Sequence, residues 1–385
     1  MLKKYFKDLK IEKICLLIIL AFIFTTMYYT DNQNVFTYIQ DNMNRIISGK
    51  WYYIFNGWST IPYGILLQLL CAIWSLPIFI LSKIGILSYT SIIARIWYKF
   101  FICIFLILNI NQLDKLAEKS NVLSEKKEWL KIFFLSSLLV ALPVIHIAQF
   151  DIVYLFFILW GINYYLEDNY TKFLLCFTIA IPGKYMPLFI FIPLVLLKEK
   201  RYIYVARDLV IGCILVLFDK AMYSIGYRIE MHLGINPSNE LTSCDTFQTN
   251  FEALLNSNFN AFGSSMSIVV LLFGLLCIWC YMQNAEHKQK LALYVSFLGF
   301  SILFTFGSLT PYWIVLLMPF ALMLIFQSKN YYNILFPLEI LFTICFLYFY
   351  TLDVSWIFGS ENTFRETLIN TLTNIPNYHH QPIEG

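Results

Sequence analysis

Asp31 is the acid best placed for chemistry. It follows the first apolar run and precedes a segment in which Val35, Tyr38, Ile39, Met43, Ile46 and Ile47 recur at helical spacing. That spacing predicts an amphipathic helix over 34–48, lying flat on an interface. An acid held just ahead of it, partly desolvated, can serve as a general base on a polar acceptor; it can equally cap the helix N-terminus. A second group of ionisable residues stands at the edges of apolar runs: Arg95, Asp151 beside Gln149, and Lys184 in Ile181-Pro-Gly183-Lys184-Tyr-Met-Pro187, while Lys99 lies deep in the 88–109 run. A charge at full depth in lipid costs about 2.5–3.5 kcal/mol. Such residues therefore either carry function or snorkel to a polar boundary. Asp151 also reads as the N-cap of the helix that follows it.

The elements that must position these residues are read from composition. Of 385 residues, 59% are hydrophobic and 13% charged, about half the charge a soluble domain carries. The fold class expected is an all-α, polytopic membrane helix bundle. It has about eleven spans of roughly 20 residues or somewhat fewer: 12–29, 88–109, 130–148, 151–166, 170–182, 186–198, 205–220, 263–283, 291–307, 311–327 and 332–352. Lysines cluster before the first run and in the turns near 115–127, 172, 198–201, 288–290 and 329. By the positive-inside rule these turns and the N-terminus are cytoplasmic. The assignment requires 61–87 to be a juxtamembrane or re-entrant element, since counting it as a span would put Lys115, Lys119, Lys126 and Lys127 outside. The remaining regions are then a first external loop 30–60, a second external loop 221–262 and an external tail 353–385 on one membrane domain, 1–352. The basic, apolar start reads as a retained signal-anchor.

Eight of the nine cysteines fall in apolar runs and only Cys244 lies in a polar loop, so no disulfide framework follows. Cys277 and Cys280 have CxxC spacing without a second ligand pair, and no metal or cofactor is expected. A net charge of +3 gives no argument for nucleic acid. Glu339, inside the last run, should face the bundle interior. Asp219-Lys220 reads as a boundary ion pair, and His146 as a packing histidine.

Three motifs, taken in order, resemble the C-type (GT-C) membrane glycosyltransferases. They are Asp31 with Val35-Phe36, Gly49 and Ile61-Pro62-Tyr63-Gly64; Ala148-Gln149-Phe150-Asp151; and Gly183-Lys184 with Pro187 and Pro193. Ala148 stands where the family usually has Gly, and Asn56-Gly-Trp58-Ser-Thr where it often has an acid. The resemblance implies transfer of a sugar from a polyprenyl-phosphate donor to a cell-surface glycan or lipid-linked acceptor, on the outer face of the cell membrane. It makes Asp31 the base, Lys184 and Arg95 the donor-phosphate cations, and Gln149, Asp151 and Tyr312 substrate-binding residues. Tyr312 and its neighbours read equally as an interfacial aromatic belt. A flippase or a polymerase of lipid-linked saccharides is the competing reading. No paired broken-helix repeat supports the flippase.

Overall fold

The computed structural model describes residues 11–29, 64–88, 91–120, 122, 124–146, 150–232, 258–261, 264–284, 288–307, 311–328, 333–335, 337–341 and 344. Asp31, Gln149, the 34–48 segment, Cys244 and the 353–385 tail lie outside them. Twelve helices are resolved among the described residues: α1 (Ile11–Tyr29), α2 (Ile65–Lys83), α3 (Ile92–Lys119), α4 (Ser124–Ser136), α5 (Leu138–His146), α6 (Asp151–Leu166), α7 (Tyr170–Ala180), α8 (Leu188–Lys198), α9 (Tyr202–His232), α10 (Ile268–Met282), α11 (Lys288–Phe306) and α12 (Met318–Gln327). A 3-10 helix, Pro311–Leu316, precedes α12. One antiparallel hairpin, β1 (Asn258–Ala261) with β2 (Ser264–Ser267), was not foreseen in the sequence and leads into α10. Leu66–Lys83 and Ile92–Lys119 are long and apolar enough to cross a membrane, and six further apolar helices are shorter.

Several helices outrun the apolar runs. Helix α3 continues to Lys119 where the hydropathy stops at 109. Its polar residues are satisfied inside the bundle, with Asn109 donating to the carbonyls of Phe105 and Ile152, and Asn163 donating to Gln112. Helix α9 extends from 202 to 232, well past the expected 205–220. The run expected at 130–148 is two helices that break at Ser137. There Glu339 accepts a hydrogen bond from the backbone amide of Leu138 at 3.1 Å, placing a carboxylate at the positive end of α5. Segment 61–87 contains one continuous helix, α2, and not a hairpin. It closes at Gly85, whose φ of +79° suits only the residue without a Cβ. Helix α2 meets α3 through stacked Trp74 and Trp97, 4.6 Å between centroids. Each indole N–H donates to the other residue's carbonyl, at 2.9 and 2.7 Å.

Helices α3 and α6 run side by side in the same direction: Phe101 packs on Phe150, Phe105 on Phe156, and Lys119 reaches Glu167 at 2.6 Å. Short contacts tie most of the basic turns to one end of the bundle. Lys126 donates to the carbonyls of Phe326 and Ser328, and Gln327 to that of Ser120. Lys198 pairs with Asp168, and Lys200 donates to the carbonyls of Leu196 and Cys280. These lysines neutralise the negative ends of α8, α10 and α12. In the same turns Arg201 and two backbone amides hold the Glu199 carboxyl down at about 2. A lowered folded value means this contact stabilises the fold above the ordinary carboxylate range and fades as pH falls toward 2. The stability difference between the native chain and Glu199→Gln should therefore shrink between pH 6 and pH 3. A constant difference would remove this role from the contact.

Candidate functional site

The opposite end of the bundle holds a buried ion pair. Helix α7 stops at Ala180 and Pro182 cannot continue it. Gly183 and Lys184 then turn the chain, and Pro187 opens α8. The Lys184 ammonium lies 2.6 Å from one carboxylate oxygen of Asp151 and 2.8 Å from the other. The two side chains are 7% and 0% exposed. Asp151 is the first residue of α6, so its carboxylate stands at the positive end of that helix. Burial lowers the Lys184 pKa from its ordinary value, and the Asp151 charge works against that shift. The Trp313 ring covers the ammonium at 4.2 Å, a cation–π contact strengthened by its desolvation.

Two glycines permit this packing. Gly183 lies so close under the Tyr154 ring that a Cβ would overlap it. Gly183→Ala is expected to push the turn off α6 and cost about 1–3 kcal/mol, seen as a lower melting temperature. An unchanged melting temperature would mean that Tyr154 swings aside freely. At the N-cap of α2, Gly64 sits against Asp219 of α9 and the Pro182 carbonyl, to which a Cβ would come within 2.7 Å. The start of α2, the 182–184 turn and a second buried carboxylate thus converge. Asp219, expected to pair with Lys220 at a boundary, faces this junction at the end of the bundle; the Lys220 side chain lies outside the described residues.

The candidate residues fall out as follows. Asp151 and Lys184, singled out separately in the sequence, are brought into direct contact. Asp31 and Gln149 lie outside the described residues. Tyr312 is in the 3-10 helix, whose Trp313 supplies the ring over the pair. Arg95 lies in the first turn of α3 and is exposed. It is six residues before Phe101, which marks the level of Phe150, and so stands about 9 Å further along the helix axis. Lys99 fits the hydropathy map poorly because it falls in the middle of the 88–109 run; the pairing of α3 with α6 instead sets it level with the end that holds the ion pair, buried at 6% exposure. The C-terminal half of α1, which leads toward Asp31, reaches this end too, since Phe24 meets Phe100 edge-on at 6.1 Å.

Reasoning from sequence put Tyr312 forward ahead of its neighbour Trp313, and named Gly64 and Asp219 without placing them at this site. A signal existed for the last: an acid between Phe218 and Lys220 in an apolar run must face protein. Among the described residues no group of three or more His, Cys, Asp or Glu side chains could hold a metal ion. No family model, no curated protein and no solved structure matches the chain.

Proposed function

We propose that the chain is a multi-pass cell-membrane protein that transfers a sugar from a polyprenyl-phosphate donor to a glycan or lipid-linked acceptor on the outer face. The membrane reading is supported by large apolar side chains left bare on the helices. Val210, Ile214, Leu217 and Phe218 on α9 are each at least half exposed, as are Leu275 and Ile278 on α10. Water would not tolerate such faces, and lipid solvates them. Basic turns gathered at one end favour that end as cytoplasmic.

The observation that carries the enzymatic reading is the Asp151–Lys184 pair, buried at the end opposite the basic turns. An ammonium fixed by a carboxylate and an indole is pre-oriented to accept a lipid phosphate, and it keeps that charge in place as the leaving phosphate develops its own. In this mechanism Lys184, with Arg95 further out along α3, holds the donor phosphate. Asp151 holds Lys184, Asp31 takes the proton from the acceptor hydroxyl, and Gln149 and Tyr312 contact the sugar. The sugar's anomeric carbon–phosphate bond breaks as its bond to the acceptor oxygen forms, and polyprenyl phosphate leaves.

The test is incubation of purified protein in vesicles with a panel of radiolabelled polyprenyl-phosphate sugars and a cell-surface glycan acceptor. Label should move into the acceptor. Label that only changes leaflet would establish the flippase reading instead.

A further inference from the structure

We propose that the first turn of α9 is a docking site for the headgroup of an anionic phospholipid of the leaflet at the basic end. The proposal rests on the membrane reading above and is independent of the sugar chemistry. Arg201 and Arg207 both lie over the Tyr204 ring, with guanidinium carbons 3.9 and 4.8 Å from its centroid. Both remain largely open, at 69% and 52% side-chain exposure.

Each guanidinium is fixed by a carboxylate through the same edge. Arg201 gives its Nε and Nη2 to Glu199, and Arg207 gives its Nε and Nη2 to Asp208. A guanidinium has five donors, so the Nη1 end of each is left for a ligand and held in one orientation before the ligand arrives. Asp208 is fully buried and is also fixed by the Tyr170 hydroxyl at 2.9 Å, which anchors the Arg207 side to the bundle. Lys200 adjoins through the Tyr281 hydroxyl, which donates to its carbonyl at 2.6 Å. Over residues 199–208 three basic side chains stand against two carboxylates, the third being Lys200, whose ammonium is held on the carbonyls of Leu196 and Cys280.

The occupant follows from what surrounds the patch. Tyr202 is 79% exposed and Ile203 67% exposed, an aromatic and apolar rim at headgroup level. Beyond them Ile203, Val210, Ile214 and Leu217 form one bare stripe up α9 at helical spacing. A soluble phosphate compound would make no use of such a stripe. A phospholipid would lay its acyl chain along it with its phosphate between the two guanidiniums.

The experiment uses full-length protein equilibrated in vesicles of equal phosphatidylglycerol and phosphatidylethanolamine, then re-extracted, with the retained lipid measured by mass spectrometry. Phosphatidylglycerol should be enriched over its bulk proportion. Arg201→Gln should lower that enrichment about fivefold, the effect of one basic residue at a membrane surface. Tyr204→Leu, which leaves both ion pairs in place, should lower it as well by removing the ring face that sets the two guanidiniums side by side. Arg207→Gln is avoided, because it strands the buried Asp208. Retained lipid at the bulk ratio in the native protein, or unchanged enrichment in both variants, overturns the proposal. A chain that stays dispersed without detergent would instead overturn the membrane reading, so the two failures are distinguishable.

Discussion

Lys184→Met is expected to destabilise the protein by about 3–5 kcal/mol, because it leaves the Asp151 carboxylate buried without its cation. With both side chains almost wholly out of solvent, water cannot replace the lost partner. Replacing both, as Asp151→Leu with Lys184→Met, should return most of that stability, since an apolar pair of similar volume needs no compensation. Thermal or denaturant unfolding in a fixed detergent reads both variants. A Lys184→Met protein as stable as the native one would show that Asp151 is solvated or otherwise neutralised, and that the pair is not the strut described here. The double variant also separates two meanings of the pair: structure alone would be restored by it, whereas donor binding would stay lost.

Asp31→Asn is expected to lower sugar transfer by about 10²–10⁴-fold, the range over which a positioned general base acts. Melting temperature and binding of a polyprenyl-phosphate donor should be little changed, because the amide matches the acid in shape and the proposed mechanism puts the donor phosphate on Lys184 and not on Asp31. Loss of transfer together with loss of donor binding would make Asp31 a positioning residue, not a base. Transfer at the native rate would remove it from the mechanism. The measurement is initial rate against donor concentration, so that an effect on kcat is told apart from one on KM.

How much of this was readable in advance depends on which forces set each element. Helix α6 runs over Asp151–Leu166, the same bounds that the sequence pattern predicts, because polar residues flank at both ends an apolar run that only Asn163 interrupts. The limits of α3 and α9 were misplaced for one physical reason: a polar residue in a helix reads as a boundary unless its partner is known. Asn109 finds its partner at Ile152, Gln112 at Asn163, and Asp219 packs against Gly64. None of these pairings leaves a trace in local sequence. At the break at Ser137 the Ser137 hydroxyl accepts locally from the Leu139 amide, while the Leu138 amide is taken by Glu339, some 200 residues away.

The site was legible as components. Asp151 and Lys184 each stood out as an ionisable residue beside an apolar run. That they form a pair depends on α6 carrying the chain across the bundle and α7 carrying it back, over 33 residues. Choosing Tyr312 over Trp313 as the aromatic of interest was a matter of helical phase within a 3-10 turn, which periodicity does not fix. Lys99 looked misplaced because depth was counted along the chain; the tilted ring contact of Phe101 with Phe150 measures depth against the neighbouring helix instead.

The most direct measurement of the central claim is equilibrium binding of radiolabelled polyprenyl phosphate to the native protein and to the Asp151→Leu, Lys184→Met variant, both in vesicles. Loss of a charge-assisted contact of about 1.5–3 kcal/mol should weaken binding by roughly ten- to a hundredfold while the variant remains folded. Equal affinity in the two proteins would contradict the account, leaving the buried pair as a structural clasp with no hold on the donor.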